Sequence, residues 1–336
     1  MNLRSVSEVL EKTRIILRLD TDLPINDFQI LDNSRLLKSI STINTLLQKK
    51  CKIAVIGHLG RPDGTNNSTL SLKPVYLELI SLLQSQNLVL NSIFIEDFDD
   101  KEKIDLSYAR NDLIFFENLR FYPGENAGDT TFLNNLLEVS QFFVNDAFAV
   151  SHRPHASVIL HRLLPAFYGH NFVSEFEVLQ KIDSCQKPMT LILGGAKEDK
   201  LIYLPKLINH FDHILIGGRL PLLASSPSDP KIIVASLTPD TLDISPASIA
   251  QFKEIINQSK TVIWVGAMGN FEKHYQIGTN EIATTLANSS AYKVIAGGDT
   301  SVSIKNLDIQ GKIDYICSGG GVLLEYLATH TLPAIN

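Results

Sequence analysis

Asp314-Tyr315-Ile316-Cys317-Ser318-Gly319-Gly320-Gly321-Val322-Leu323-Leu324-Glu325-Tyr326-Leu327 reads as a short apolar strand, a glycine turn and an apolar-periodic helix. Three consecutive glycines leave bare backbone N–H groups where the helix begins. Such a terminus carries a partial positive charge and unsatisfied donors, so it attracts phosphate or a developing oxyanion. Taken alone the stretch is equally an ordinary strand-to-helix turn, because short glycine motifs recur without function. Upstream, the pattern repeats. Thr190-Leu191-Ile192-Leu193 leads into Gly194-Gly195-Ala196-Lys197, and His213-Ile214-Leu215-Ile216 into Gly217-Gly218. Thr261-Val262-Ile263-Trp264 leads into Val265-Gly266-Ala267-Met268-Gly269, and Lys293-Val294-Ile295-Ala296 into Gly297-Gly298-Asp299-Thr300. The spacing is too irregular for a solenoid. It predicts one sheet whose strand ends all admit close backbone approach.

The first half alternates in the same way without the glycines. Strands are predicted at 14–20, 52–57, 93–96, 113–116 and 141–146, with helices at about 31–50 and 72–86 and another before 141. A helix at 173–184 has no turn signal inside it and is read as the bridge between two domains. Alternating strands and helices predict an α/β fold with parallel sheets covered on both faces, where ligands sit beyond the carboxyl ends of the strands. Asp20, His58, Arg61, Arg120 and Asp146 all fall at such ends.

At 336 residues the chain predicts about two domains. Hydrophobic residues make up 44% and charged residues 20%, as in soluble globular proteins. A net charge of -6 argues against a nucleic-acid partner. Cys51, Cys185 and Cys317 are far apart and lack metal or redox spacing, so a reduced intracellular setting is expected. No apolar run is long enough to span a membrane, and a cytoplasmic location is expected by default.

Arg35, His58, Arg61, Arg120 and Arg153, with His152 and His155 beside the last, offer guanidinium forks suited to carboxylate and phosphate. Each arginine alone is equally a solvated surface residue. In the second half, Lys197 after Gly-Gly offers positive charge, and Asp299 offers either a Mg²⁺ ligand or a helix N-cap. Glu272 offers an acceptor for ribose hydroxyls. These are the parts of phosphoryl transfer, which needs in-line positioning, a metal, and cations or N–H donors on the moving oxygens. Neither a P-loop nor a dinucleotide fingerprint is present.

Eight motifs in order make the chain resemble phosphoglycerate kinase along nearly its whole length. They are Arg18-Leu19-Asp20-Thr21-Asp22-Leu23-Pro24, His58-Leu59-Gly60-Arg61-Pro62, Glu117-Asn118-Leu119-Arg120-Phe121, and Val144-Asn145-Asp146-Ala147-Phe148 through His152-Arg153-Pro154-His155-Ala156-Ser157. The rest are Leu193-Gly194-Gly195-Ala196-Lys197, Trp264-Val265-Gly266-Ala267-Met268-Gly269-Asn270-Phe271-Glu272, Gly297-Gly298-Asp299-Thr300 and Ser318-Gly319-Gly320-Gly321.

The resemblance implies two Rossmann-like, doubly wound parallel-sheet domains joined by a hinge helix. Residues 1–172 would bind phosphoglycerate, with the tail 328–336 packing back on them; 173–185 would be the interdomain helix and 186–327 the nucleotide-binding domain. It implies 3-phosphoglycerate or 1,3-bisphosphoglycerate on Asp20, Asp22, Arg35, His58, Arg61, Arg120 and Arg153. It implies Mg-ADP or Mg-ATP on Gly195, Lys197, Lys200, Gly218, Glu272, Gly298, Asp299 and Thr300, with Asp299 on Mg²⁺. Arg35, Lys197, Gly319 and Gly320 would act on the phosphoryl group in transit. The expected partners are these small molecules, with no nucleic acid, no membrane, and a monomeric protein.

The chain departs from the family pattern chiefly on the nucleotide side. Asp22 and Val265 stand where the family has asparagine, Ala267 where it has proline, and Ala296 and Arg219 where it has glycine. The usual Gly-Pro-Lys reads Ser245-Pro246-Ala247, and the section before it is shortened by several dozen residues. The segment Ala196-Lys197-Glu198-Asp199-Lys200 is one residue short, which puts Lys200 about 100° out of phase on an α-helix. A more open and less polar adenosine pocket is expected. The primary reading is reversible phosphoryl transfer between 1,3-bisphosphoglycerate and Mg-ADP. A phosphoglycerate-binding protein with weak or lost transfer is the alternative, and a kinase for another acyl phosphate a third.

Overall fold

The computed structural model describes residues 3–224, 229–304 and 307–336, with the side chains of Asp299 and Gln310 outside that description. The chain divides into two compact units, Met1–Phe176 with Pro333–Asn336, and Glu177–Leu332. The division falls inside the helix His170–Ile182.

In the first unit, β1 (Arg14–Arg18) is followed by a small antiparallel hairpin, β2 (Ile25–Asn26) and β3 (Gln29–Ile30). Then come β4 (Lys52–Ile56), β5 (Ser92–Ile95), β6 (Leu113–Phe116), β7 (Phe142–Asn145) and β8 (Ala166–Tyr168). The sheet order is β5-β6-β4-β1-β7-β8, and every pairing is parallel. Side chains alternate across it as strand geometry requires. Ile15, Leu17, Ile53, Val55 and Phe115 enter one core, while Ile16, Ala54, Ile56, Ile114 and Phe116 enter the other. Both faces are therefore dry, and the strands read as continuous apolar runs.

The helices Ser34–Gln48, Lys73–Ser85 and Lys101–Arg110 provide crossovers. The first starts at Ser34 after an Asn33 cap residue whose side chain makes no capping bond; Asp32 instead accepts from the Ser34 N–H at 2.8 Å. The single helix expected before residue 141 is two short ones, Pro123–Ala127 and Asn134–Glu138. Gly128 ends the first of them in the left-handed region.

The second unit holds β9 (Met189–Leu193), β10 (His213–Ile216), β11 (Ile232–Val234), β12 (Thr261–Val265), β13 (Tyr292–Ala296) and β14 (Tyr315–Cys317). Their order is β11-β10-β9-β12-β13-β14, again parallel throughout. Trp264, Ile192, Leu215, Val262 and Ile295 form one core with Phe252 and Ile282 from the helices Pro246–Gln258 and Ile277–Asn288. Among the described residues no helix is long and apolar enough to cross a membrane.

Candidate active site

In the first unit the strand ends converge on a network of cations. Arg18, the last residue of β1, is fully buried, and all three branches of its guanidinium are engaged. Nε donates to Ser157 Oγ at 2.8 Å, Nη1 to the Leu19 carbonyl at 2.8 Å, and Nη2 lies 3.0 Å from His58 Nδ1. Two residues on, both carboxylate oxygens of Asp20 accept from Arg35 Nη1, at 2.9 and 3.2 Å. His58 follows β4 and turns Nε2 toward Asp22 Oδ2 at 3.8 Å, while Asp22 Oδ1 accepts from the Gly60 N–H at 2.9 Å. Arg120, after β6, donates to the Gly60 carbonyl at 2.6 Å.

Asn118 locks the loops after β4 and β6 together. Its amide donates to the Leu59 and Leu70 carbonyls, and its carbonyl accepts from Leu59 and Arg120 N–H. Buried and fully used, such an amide holds geometry rather than binding ligand. Gly60 turns this loop with φ +61. Arg61 and Arg153 are exposed at the rim.

The electrostatics are those of a crowded cationic site. His58 is pushed well below the ordinary histidine pKa, by burial first and then by Arg18 and Arg120. His155 falls to about 3, by burial and then by Arg120, Arg18 and Arg153. Arg120 is lowered by burial and by Arg18, with Arg61 adding to the repulsion. Burial also opposes the Arg35 charge, but Asp20 outweighs it and the pKa rises. Cations that depress one another leave a positive field unsatisfied, and a multiply charged anion is the ligand that relieves it.

In the second unit the glycine turns pack backbone on backbone. The Gly195 N–H donates to the Ala267 carbonyl at 2.7 Å, and the Gly194 N–H to Val265 at 2.8 Å. Gly195, Gly218, Gly266 and Gly297 all have positive φ, which L side chains resist. A Cβ on Gly218 would lie 2.5 Å from the Gly195 nitrogen. Thr300 is buried, and its hydroxyl joins two strands, accepting from Gly266 N–H at 2.8 Å and donating to the Ala296 carbonyl at 3.1 Å. The helix Gly320–Thr329 has Gly319 as its cap residue, so its N-terminus carries no side-chain cap from that position.

The α-helical phase expected for Lys200 does not occur. Residues Glu198–Tyr203 form a 3₁₀ helix with Lys197 as its cap residue. The tighter winding turns Lys200 back onto the glycines, where Nζ donates to the Gly194 carbonyl at 2.6 Å. Lys197 is exposed. Glu272 is also exposed, in the 3₁₀ turn Phe271–Lys273. The cap of the helix Gly298–Ser303 is Gly297, so the Asp299 backbone lies within its first turn; the Asp299 side chain lies outside the described residues.

The structure thus brings Asp20, Asp22, Arg35, His58 and Arg120 together on one unit, and Gly195, Gly218, Lys200 and Thr300 on the other. Sequence reasoning did not single out Arg18, Asn118, Glu125 or Ser157 as site-building residues. A charged side chain ending an apolar strand, as in Ile15-Ile16-Leu17-Arg18, was the available signal.

The family model for phosphoglycerate kinase matches residues 6–226 and 228–330. The chain is 31% identical over 394 aligned positions to the phosphoglycerate kinase of Finegoldia magna, covering 100% of this chain and 99% of that protein. It is 32% identical over 396 positions to that of Orientia tsutsugamushi, covering 100% and 97%. Among solved structures, phosphoglycerate kinase from Coxiella burnetii superposes with a TM-score of 0.74 at 26% identity, covering 99% of this chain and 98% of that one. The Pyrococcus horikoshii enzyme superposes with a TM-score of 0.80 at 23% identity, covering 99% and 97%, a likeness of fold.

Proposed function

The chain belongs to the phosphoglycerate kinase family, and from that premise we propose which of its residues carry the reaction. It catalyses reversible phosphoryl transfer between 1,3-bisphosphoglycerate and ADP, giving 3-phosphoglycerate and ATP, a glycolytic step. The cationic strand ends of the first unit carry the assignment of residues. Arg35, Arg61, Arg120 and Arg153 hold the phosphate and carboxylate of phosphoglycerate, His58 donates from Nε2, and Asp20 holds the Arg35 fork in place. Asp22 lines the same site.

The nucleotide is assigned to the turns containing Gly195, Gly218 and Gly298, with Lys197 and Lys200 on its phosphates, Glu272 on ribose and Thr300 bracing the loop. Mg²⁺ enters as the Mg-nucleotide, which needs only one protein carboxylate beside the phosphates; Asp299 is the residue assigned to it. Gly319 and Gly320 offer helix N-terminal N–H groups to the phosphoryl oxygens in transit. Arg35 and Lys197 balance its charge. Transfer requires donor and acceptor in line and shielded from water, and bending in the helix His170–Ile182 is the motion assigned to that closure. We place the protein in the cytoplasm, a setting that its three free cysteines support, and take it to be a monomer.

A coupled assay of the purified protein tests this. ATP formation from 1,3-bisphosphoglycerate and Mg-ADP is the expected result. No turnover above background, with 3-phosphoglycerate still bound, would leave a binding protein in place of an enzyme.

A further inference from the structure

Behind the cationic cluster lies a buried chain of polar groups that touches no position assigned to ligand except at its end. Glu125, fully buried in the helix Pro123–Ala127, accepts from the Ser157 N–H at 3.0 Å on Oε2 and from the Ser157 hydroxyl at 2.6 Å on Oε1. The same Oε1 lies 4.0 Å from Arg18 Nη2 and 3.9 Å from His155 Nδ1. A hydroxyl has one proton, and Ser157 gives it to Glu125; its lone pairs are then free to accept from Arg18 Nε, at 2.8 Å. With Nε and Nη1 fixed, the planar guanidinium can present Nη2 in only one direction, toward His58 Nδ1 at 3.0 Å.

A guanidinium has donors and no acceptor, so the ring nitrogen facing it must accept. We infer that Glu125 and Ser157 are positioning residues which, through Arg18, hold His58 as the neutral tautomer with its proton on Nε2. That proton points away from the core, toward Asp22 and the place of the anion. The opposite tautomer would set two N–H groups against each other at Arg18 and offer a lone pair to an anionic ligand. Glu125 also supplies the buried negative charge without which Arg18 would be an uncompensated cation at full burial.

The inference rests on the assignment of His58 to the anion site, and its test separates the two. The experiment is nitrogen NMR of ligand-free protein carrying isotope-labelled histidine, read beside steady-state kinetics, for wild type, Ser157→Ala, Ser157→Thr and Glu125→Gln. In wild type the His58 Nδ1 resonance is that of a bare nitrogen and Nε2 that of a protonated one. In Ser157→Ala the Nδ1-protonated form appears, and the KM for 3-phosphoglycerate rises about tenfold while kcat changes less than about threefold. The nucleotide KM is unchanged. Ser157→Thr, which keeps the hydroxyl, restores the wild-type pattern. Where Ser157→Ala does not fold, Glu125→Gln gives the same readout. A wild-type His58 protonated on Nδ1 would overturn the inference. So would variants that lose thermal stability but keep both the tautomer and the KM. A wild type without turnover would instead overturn the functional assignment and leave the tautomer to decide this one.

Discussion

Lys200 sets its ammonium 2.6 Å from the Gly194 carbonyl oxygen, so that the first glycine turn of the second sheet is closed onto a cation. The 3₁₀ winding of Glu198–Tyr203 makes this contact possible despite the missing residue. In the proposed assignment this cation, held on a turn of bare backbone, faces the nucleotide phosphates. Lys200→Met is therefore expected to raise the KM for ADP about tenfold, the loss of one charge-assisted contact, with the KM for phosphoglycerate unchanged. Initial rates with each substrate varied in turn provide the check; equal KM values for both proteins would remove Lys200 from the nucleotide site.

Arg61 stands at the rim of the first unit, exposed, and close enough to Arg120 to lower its pKa. Its side chain is exposed and, among the described residues, forms no hydrogen bond or ion pair. Arg61→Ala should weaken 3-phosphoglycerate binding by about tenfold without loss of thermal stability and without effect on ADP. Isothermal titration with each ligand measures this, and an unchanged phosphoglycerate affinity would show the anion site to be elsewhere.

The two folds of parallel sheet were legible because most of their strands are apolar runs that lead into glycine or a charged residue. Both faces of each sheet are dry, so no alternation was needed to find them. The pieces that escaped are short or locally unremarkable. The hairpin of β2 and β3 has two residues per strand, and β8 is three residues in a stretch read only for its helix. The phase of Lys200 was misread because an α-helix was assumed where the chain winds as 3₁₀. Glu125 and Ser157 were invisible as site residues for a deeper reason. They act on His58 through Arg18, and partners that are 32 and 139 residues apart in sequence meet only in the folded chain.

Asp146 carries a clear pH signature. It is fully buried after β7 and accepts from the Phe172 N–H at 3.0 Å at the start of the bridging helix. Burial raises its pKa to about 7. A raised carboxyl pKa means that the native state holds a proton that the unfolded chain gives up near pH ~4. Its contribution to stability is thus present at acid pH and is lost as the pH rises through about 7. Asp146→Asn, neutral at every pH, should match wild type near pH 4 and exceed it by about 3–4 kcal/mol near pH 8. Urea unfolding at the two values tests the sign; a variant less stable at both would mean that the carboxylate is held charged.

His58 and His155 act in the opposite sense. Their native pKa values lie below that of a free imidazole, burial being the main cause, so the unfolded chain takes up protons that the native state refuses. Both contributions are intact above about pH 6.5 and are lost as the pH falls below it. The midpoint of thermal unfolding should fall between pH 7 and pH 5, and His155→Gln should flatten that limb. A phosphate-bearing ligand changes the balance at His155, because an anion beside that imidazole favours its protonated form, whereas Arg18 keeps His58 neutral. Phosphoglycerate should therefore protect most strongly at the acid end. Equal protection at both ends would show that the ligand's charge does not reach His155.

Gly320 tests the stretch Ser318-Gly319-Gly320-Gly321 directly. It is the first residue of the helix Gly320–Thr329, and a Cβ there would lie 2.7 Å from Val265 Cγ1 and 3.6 Å from the Ala296 carbonyl oxygen. The backbone can accept alanine, since Gly320 does not have the positive φ of Gly266 or Gly297. The strain is therefore one of close approach to the Val265 side chain at the end of β12, and it is relieved where the helix start moves away from that methyl. A shift of a few tenths of an ångström moves the N–H groups off the line of the transferred phosphoryl while leaving both substrate sites intact. Gly320→Ala should then lower kcat by roughly tenfold to a hundredfold, with both KM values within about threefold and only a small loss of thermal stability. A rise in KM with kcat preserved would make this turn a binding loop rather than the place of transfer.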